Sequence, residues 1–242
     1  MRRTPRPELE RLVARMHMPA FAMPLRMCGP VYDTIVADAR AQRVLLALFW
    51  MAAPSLKDGV MGIFRAPLWE VSAAAGCERM SGNAPVRRAL PILAEETWRI
   101  RASGASTPIF QHVGLVEGGA GPLVEWVPDA DVAVEFAAPA RYALLDIRSL
   151  ASLSTAVELF LYIHLRVIWR RRIRRIVVDM GDVERVCGTD GRPRKRTMEN
   201  LRRTARRMSG FMGEDVHVFL PDDARGRQYR EIVIEVGTGR DG

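Results

Sequence analysis

Apolar and polar residues along the first half of the chain follow two periods, one typical of helices and the other of strands. Apolar positions three and four residues apart predict helices over Tyr32–Met51, Pro67–Gly76 and Pro85–Glu95. Alternation of apolar and polar positions predicts short strands at Gly62–Ala66, Trp98–Arg101, Ile109–Val116 and Val132–Phe136. Turns rich in glycine and proline separate these strands.

The second half of the chain repeats this order of elements. Its pattern predicts a long helix, a strand, a short helix, a turn, a basic helix and two closing strands, namely Ser152–Trp169, Ile176–Met180, Asp182–Val186, Thr189–Pro193, Arg194–Met208, Val216–Leu220 and Tyr229–Val236. A helix-turn-helix unit followed by a β-hairpin is the order of a winged helix. We therefore expect an α+β fold of tandem winged-helix domains.

Composition divides the chain into three parts. Residues 1–30 are rich in proline, methionine and arginine and are expected to form an N-terminal arm. Residues 31–137 are expected to form an N-terminal winged-helix domain for dimerisation or an auxiliary DNA contact. After a linker at Ala137–Ala140, residues 138–242 are expected to form the C-terminal winged-helix, DNA-binding domain.

Charge is concentrated in one short segment. The chain of 242 residues has a net charge of +8, and Arg192–Arg207 alone holds eight cations and one acid. This segment includes the basic helix, whose apolar residues Met198, Leu201, Ala205 and Met208 fall on one face. A helix with one buried stripe and a cationic outer face is suited to lie along a polyanion, so we expect double-stranded DNA as a partner.

The face opposite the apolar stripe carries the candidate DNA-binding residues. Arginine can bind the O6 and N7 atoms of guanine, and asparagine can bind N6 and N7 of adenine. The predicted base contacts are Arg196, Thr197, Asn200 and Arg203. The predicted phosphate contacts lie in three places: the arginines before the strand Ile176–Met180, the other cations of the basic helix, and the tip of the wing. They are Arg170, Arg171, Arg172, Arg194, Lys195, Arg202, Arg206, Arg207, Arg225 and Arg227.

Sequence signals for catalysis are missing. The four histidines lack metal-ligand spacing, and Gly118–Gly121 is not followed by the Lys-Ser/Thr of a phosphate-binding loop. We expect no catalytic residues, no metal, no cofactor and no enzymatic activity. Three isolated cysteines fit a reducing cytoplasm. We also expect no signal peptide, because no uninterrupted apolar stretch follows the basic segment Met1–Pro7. We expect no membrane span, because the most apolar stretch, Leu153–Trp169, is short and contains charges.

Several segments of the second half form a recognisable series: Tyr142–Leu150, the helix core Ala156–Tyr162, the strand Ile176–Val178, the short helix Gly181–Cys187, the basic helix and the closing strand Ile232–Val236. This series resembles the C-terminal winged helix of iteron-binding plasmid replication initiators. The resemblance implies two winged helices, one binding direct repeats at a plasmid origin and the other mediating dimerisation or a second DNA contact. It also implies melting of an adjacent AT-rich region and recruitment of host replication proteins (initiator, helicase and primase), with no catalysis.

Three other functions remain open from the sequence. A winged-helix transcriptional repressor that binds operator DNA would use the same surface. A nuclease or relaxase would need an acidic cluster or a Tyr/His metal site, which the sequence does not offer. A structural RNA-binding protein would need aromatic side chains for base stacking near the cations.

Overall fold

A computed structural model describes residues 20–24, 38–77, 83–99, 106–137, 142–189, 193–221 and 230–237. The first half contains β1 (Ala20–Pro24), α1 (Ala39–Lys57), β2 (Phe64–Pro67), α2 (Leu68–Ala74), α3 (Ala84–Glu95), β3 (Thr97–Arg99), β4 (Ser106–Pro108), β5 (Phe110–Gly118), β6 (Gly121–Pro128) and α4 (Ala130–Ala137). Strands β2, β6 and β5 form an antiparallel sheet in that order. The ring of Phe49 on α1 stacks on Phe110 and Phe136, which holds the helix against β5 and α4.

The second half contains β7 (Tyr142–Asp146), α5 (Ile147–Ser152), α6 (Ala156–Arg171), β8 (Arg175–Asp179), α7 (Met180–Cys187), α8 (Arg194–Met212), β9 (Val216–Phe219) and β10 (Glu231–Val236). Strands β8, β10 and β9 form an antiparallel sheet in that order. Helix α6 begins at a capping box, in which the Thr155 hydroxyl accepts from the Glu158 backbone N–H and the Glu158 carboxylate accepts from the Thr155 N–H. The fold is α+β with tandem winged helices.

The two halves are joined by a strand pair and by close contacts between helices. Strand β1 pairs antiparallel with β7, with Phe21 opposite Leu145. The buried Arg43 on α1 donates from Nη1 to the Leu153 carbonyl at 3.2 Å. Gly76, with φ +65°, lies so close to Ala151 that a Cβ there would be 2.2 Å from the Ala151 carbonyl oxygen. Buried side chains of both halves form one continuous core.

The structure differs from the sequence prediction at several elements. Residues 132–136 were expected as a strand but belong to α4. Strand β6 (Gly121–Pro128) begins within the turn expected at Gly118–Pro122 and continues through residues to which the sequence assigned no element. The basic helix continues beyond Met208 to Met212. Ala20–Pro24, within the expected arm, is a strand. The expected linker falls largely on residues 138–141, which lie outside the described residues.

Candidate nucleic-acid interface

The basic helix α8 packs on the winged-helix core through its apolar stripe. Met198, Leu201, Ala205 and Met208 are all buried, as the spacing predicts. Arg203, Arg206 and Arg207 are exposed on the remaining surface, together with Lys195 and Arg196. Packing therefore fixes the rotation of the helix about its axis and holds the cationic face outward.

Helix α7 and the start of α8 form a helix-turn-helix pair with fixed geometry. The Asp179 carboxylate caps α7 by accepting from the backbone N–H groups of Gly181 and Asp182 at 2.7 and 3.2 Å. Gly188 ends α7 in a left-handed conformation, with φ 59°. The Arg194 guanidinium then binds the Glu184 carboxylate through Nε and Nη2 at 3.0 and 3.2 Å, which ties the start of α8 to α7.

An open groove of about 400 Å³ runs along the exposed side of this pair. Its lining residues come from the end of α7 and the first three turns of α8: Thr189, Arg196, Thr197, Glu199, Asn200 and Arg203. Within it, Arg203 Nη2 donates to Asn200 Oδ1 at 2.9 Å. The structure thus brings three of the predicted base contacts, Arg196, Asn200 and Arg203, into one continuous surface.

Thr197 does not fit its predicted role. It is only 3% exposed, on the side of α8 that faces the protein, and its hydroxyl has no hydrogen-bond partner. The hydroxyl therefore lies at the floor of the groove, where it cannot reach a base edge directly. The expectation of an exposed Thr197 is corrected on this ground.

The predicted phosphate contacts on α8 fall into two groups. Lys195 and Arg206 are exposed, and the structure gives neither of them an ion pair within the described chain. Arg194 and Arg207 are engaged by carboxylates, and Arg202 donates from Nε to the Val218 carbonyl on β9 at 3.2 Å. The engaged cations position α8 as well as adding positive potential, whereas Lys195 and Arg206 are free to meet phosphates.

Outside α8, the structure describes one of the predicted phosphate contacts. Arg172 is exposed at the C-terminal end of α6, in a left-handed conformation with φ 53°. The side chains of Arg170 and Arg171, and the whole of Arg225 and Arg227 at the expected wing tip, lie outside the described residues. Their contacts with DNA stay predictions.

Two groove residues were missed by sequence reasoning. Glu199 is exposed in the groove, and no cation of the described chain pairs with it, although Arg196 and Arg203 are three and four residues away on the helix. A carboxylate can accept a hydrogen bond from the N4 amino group of cytosine. Its position between Arg196 and Arg203 was the available signal. Thr189 follows the end of α7, and it lines the groove because the start of α8 lies beside α7, which the sequence alone does not show.

The titratable groups with large shifts lie away from this groove or inside the protein. Burial lowers the pKa of His164 on α6 to about 4, and a hydrogen bond to the Phe160 carbonyl only partly opposes this. Burial raises the pKa of the Cys187 thiol to about 12, so the thiol stays protonated at neutral pH.

Among the described residues, no cluster of three His, Cys, Asp or Glu side chains is arranged for a metal ion. No helix in the described ranges has the length and hydropathy to cross a membrane.

Solved structures share this architecture along nearly the whole chain. The Pi initiator protein, in its complex with iteron DNA, superposes with a TM-score of 0.60 at 10% identity, over 92% of this chain and 98% of that one. The chain shares the fold of that protein. Domains 2 and 3 of RctB also match, with a TM-score of 0.51 at 13% identity, over 86% of this chain and 85% of that one. No protein-family profile and no curated protein sequence matches. At such identities the likeness shows the fold alone, and the assignment of DNA-binding residues stays a prediction from the groove.

Proposed function

We propose that the protein is a plasmid replication initiator. It binds repeated sites in double-stranded DNA at a replication origin and helps to open the origin, so that the host initiator and helicase are recruited. It acts in the cytoplasm by binding alone, without a catalytic step, and the N-terminal domain provides the contact for a homodimer.

The observation that carries the proposal is the groove of α8. Arg196 and Arg203 are exposed, and Asn200 is half-buried between them, on one side of a helix whose other side packs into the core. These side chains have the donors and acceptors that read guanine and adenine in the major groove. The free cations Lys195 and Arg206 flank them and supply the phosphate contacts that set register.

The initiator role is supported by the shared fold. The Pi initiator superposes over both halves of this chain. A repressor could be built from a single winged helix, whereas here two winged helices are joined by a strand pair and a common core. This arrangement favours a protein that holds two surfaces in fixed relation on DNA.

Footprinting of the purified full-length protein on the DNA that flanks its own gene tests the proposal. Protection of several tandem repeats is the expected result. Arg203→Ala should lose this protection at concentrations where Arg88→Gln, which removes an exposed cation of α3, still gives it. Protection of a single palindromic operator, or of no site, would contradict the initiator role.

Deletion of the gene from a minimal plasmid tests the same role in the cell. An initiator is required for maintenance, so the deleted plasmid should be lost unless the protein is supplied from elsewhere. A plasmid that replicates normally while transcription from a neighbouring promoter rises would identify a repressor instead.

A further inference from the structure

A second surface recess lies at the C-terminal end of α6, beside the outer face of β7. It encloses about 240 Å³ and is lined by Leu144, Arg166, Trp169 and Arg172. Leu144 is 42% exposed, because strand alternation turns it to the face opposite the fully buried Ala143 and Leu145. The recess therefore combines an exposed aliphatic side chain with an indole and two guanidinium groups.

The walls of the recess are held in place by local contacts. Arg166 donates from Nε to the Leu144 carbonyl at 2.5 Å, and its guanidinium carbon lies 5.5 Å from the centroid of the Trp169 ring. The Trp169 indole N–H donates to Glu214 Oε2 at 3.2 Å. These contacts leave the terminal nitrogens of Arg166 available. Neither Arg166 nor Arg172 forms an ion pair within the described chain.

Arg172 occupies a backbone conformation that normally selects glycine. It ends α6 with φ 53° and is the one non-glycine residue with positive φ among the described residues. A side chain in this region costs about 1 kcal/mol relative to glycine. The backbone conformation at this position thus favours glycine, yet the chain has an arginine there, whose guanidinium lies at the rim of the recess.

The recess is separated from the DNA-binding groove along the length of α8. Helices α6 and α8 run side by side in the same direction, since Glu158 contacts Arg207 and Tyr162 contacts Phe211. The recess lies at the C-terminal ends of both helices, while the groove lies at the N-terminal half of α8. From Arg203 to Met212, the end of α8, the rise is about 13 Å. The recess is therefore a surface distinct from the groove.

We propose that this recess binds a short acidic segment of a partner protein, with one apolar side chain of that segment seated against Leu144 and Trp169. The unpaired cations Arg166 and Arg172 complement aspartate and glutamate side chains on either side of the apolar anchor. The volume is smaller than the usual range for drug-sized ligands and suits a single side chain. The inference rests on the proposed function in one respect, because recruitment requires a protein to be bound while DNA is held.

Titration of the full-length protein with synthetic heptapeptides, followed by the ¹⁵N signal of the Trp169 indole, tests this inference. The probes are glutamate-rich peptides with a central leucine, phenylalanine or alanine, and a lysine-rich peptide with a central leucine. Trp169→Phe assigns the signal. The leucine and phenylalanine acidic peptides should shift it, and the alanine and lysine-rich peptides should not. Binding that ignores the central residue or the charge, or no shift with any peptide, would overturn the proposal.

The variant Arg172→Gly separates recognition from stability. Glycine relieves the left-handed backbone, so the protein should be at least as stable as the parent, yet peptide affinity should fall about tenfold with the loss of one charge-assisted contact. Arg88→Gln is the matched control and should bind the peptides as the parent does. Unchanged peptide affinity in Arg172→Gly would refute the role of this cation. Tight binding of single-stranded oligonucleotides that Arg172→Gly abolishes would assign the recess to nucleic acid instead.

Failure of this inference is distinguishable from failure of the proposed function. Leu144→Ala, which removes the exposed apolar wall of the recess and no predicted DNA contact, should lose peptide binding and leave the footprint on origin repeats in place. If footprinting fails while acidic peptides still bind, the DNA-binding role is wrong and the recess stands. If the repeats are protected and no peptide binds, the DNA-binding role stands and the peptide-binding recess is wrong.

Discussion

The guanidinium of Arg207 on α8 contacts the buried carboxylate of Glu158 on α6. The other oxygen of that carboxylate accepts from the Ser154 and Thr155 backbone N–H groups at 2.8 and 2.9 Å, and from the Ser154 hydroxyl at 3.0 Å. One acid therefore caps α6 and fastens α8 to it. Arg207, which the sequence places among the phosphate contacts, has a structural function in addition.

Replacement of Arg207 by alanine should lower the free energy of unfolding by about 1 kcal/mol, because one oxygen of a buried carboxylate loses its donor. The cost stays modest since the Arg207 side chain is itself largely exposed and water can replace it. Arg206→Ala is the control and should leave stability unchanged while weakening DNA binding. Urea denaturation of both variants measures the difference, and equal stability of the two would contradict the assignment.

The base-reading residues and the phosphate-binding residues of α8 should respond differently to mutation. Arg203→Ala should cost roughly 1–3 kcal/mol of binding free energy on a cognate repeat and relax the preference at one base pair. Arg206→Ala should weaken cognate and random DNA alike and lower the salt slope by about 1. Binding titrations at several salt concentrations measure both effects. Identical behaviour of the two variants on both DNAs would show that the face assignment is wrong.

Glu199 should act as a specificity residue that reduces overall affinity. Its unpaired carboxylate repels phosphates, so Glu199→Gln should bind random DNA more tightly. The same change should relax a preference for cytosine at one position, because an amide is a weaker and less selective acceptor for the N4 amino group. Selection of binding sites from a randomised pool by each protein measures the preference. An unchanged selected sequence would leave Glu199 with no role in reading bases.

Gly76 should tolerate no side chain. Its positive φ and a Cβ position 2.2 Å from the Ala151 oxygen predict that Gly76→Ala lowers the free energy of unfolding by about 2–4 kcal/mol, from left-handed strain and overpacking together. Gly59 has φ +74° with no atom within 4 Å of the added Cβ, so Gly59→Ala should cost only about 1 kcal/mol. Thermal unfolding compares the two, and similar melting temperatures would argue against close packing at Gly76.

The protein should lose stability as the pH falls from about 6.5 to 4, through His164. The unfolded chain takes up a proton near the ordinary pKa of 6.5, whereas the buried imidazole in the folded chain resists it down to about 4. The unfolded state therefore binds more protons in this window, and unfolding becomes easier by up to about 3 kcal/mol. His164→Leu should show a flatter dependence in chemical denaturation at pH 7 and pH 4.5. Parallel losses in both proteins would exclude His164 as the cause.

The sequence predicts element order well where a segment is long and strongly periodic. Helices α1, α6 and α8 contain enough turns for the apolar spacing to be unambiguous, and the buried set Met198, Leu201, Ala205 and Met208 follows directly. Short segments are different. In α4, Val132 and Phe136 are buried and four apart, as in a helix, but the same two positions also satisfy strand alternation. Packing against Phe49 decides between them.

The candidate site could be predicted only as a face. Composition shows which side of α8 is cationic, but it does not show which cations have acidic partners. Glu158 lies far from Arg207 in sequence, and the contact exists only because α6 and α8 pack together. Thr197 adjoins the predicted base-reading residues in the sequence, but the structure buries it, as it does the next residue, Met198. Tertiary contacts of this kind leave no local signal in the sequence.

The pairing of β1 with β7 has a consequence for how the protein is made. Phe21 leaves the ribosome early, but its partner Leu145 is synthesised only with the other half of the chain. Until then β1 has no neighbouring strand. Phe21 and Met23, which are buried in the complete protein, stay partly exposed to solvent. A truncated protein that ends between the two winged helices would therefore have an unpaired strand β1 with exposed apolar residues. We expect cellular proteases to degrade such a fragment before it competes for DNA.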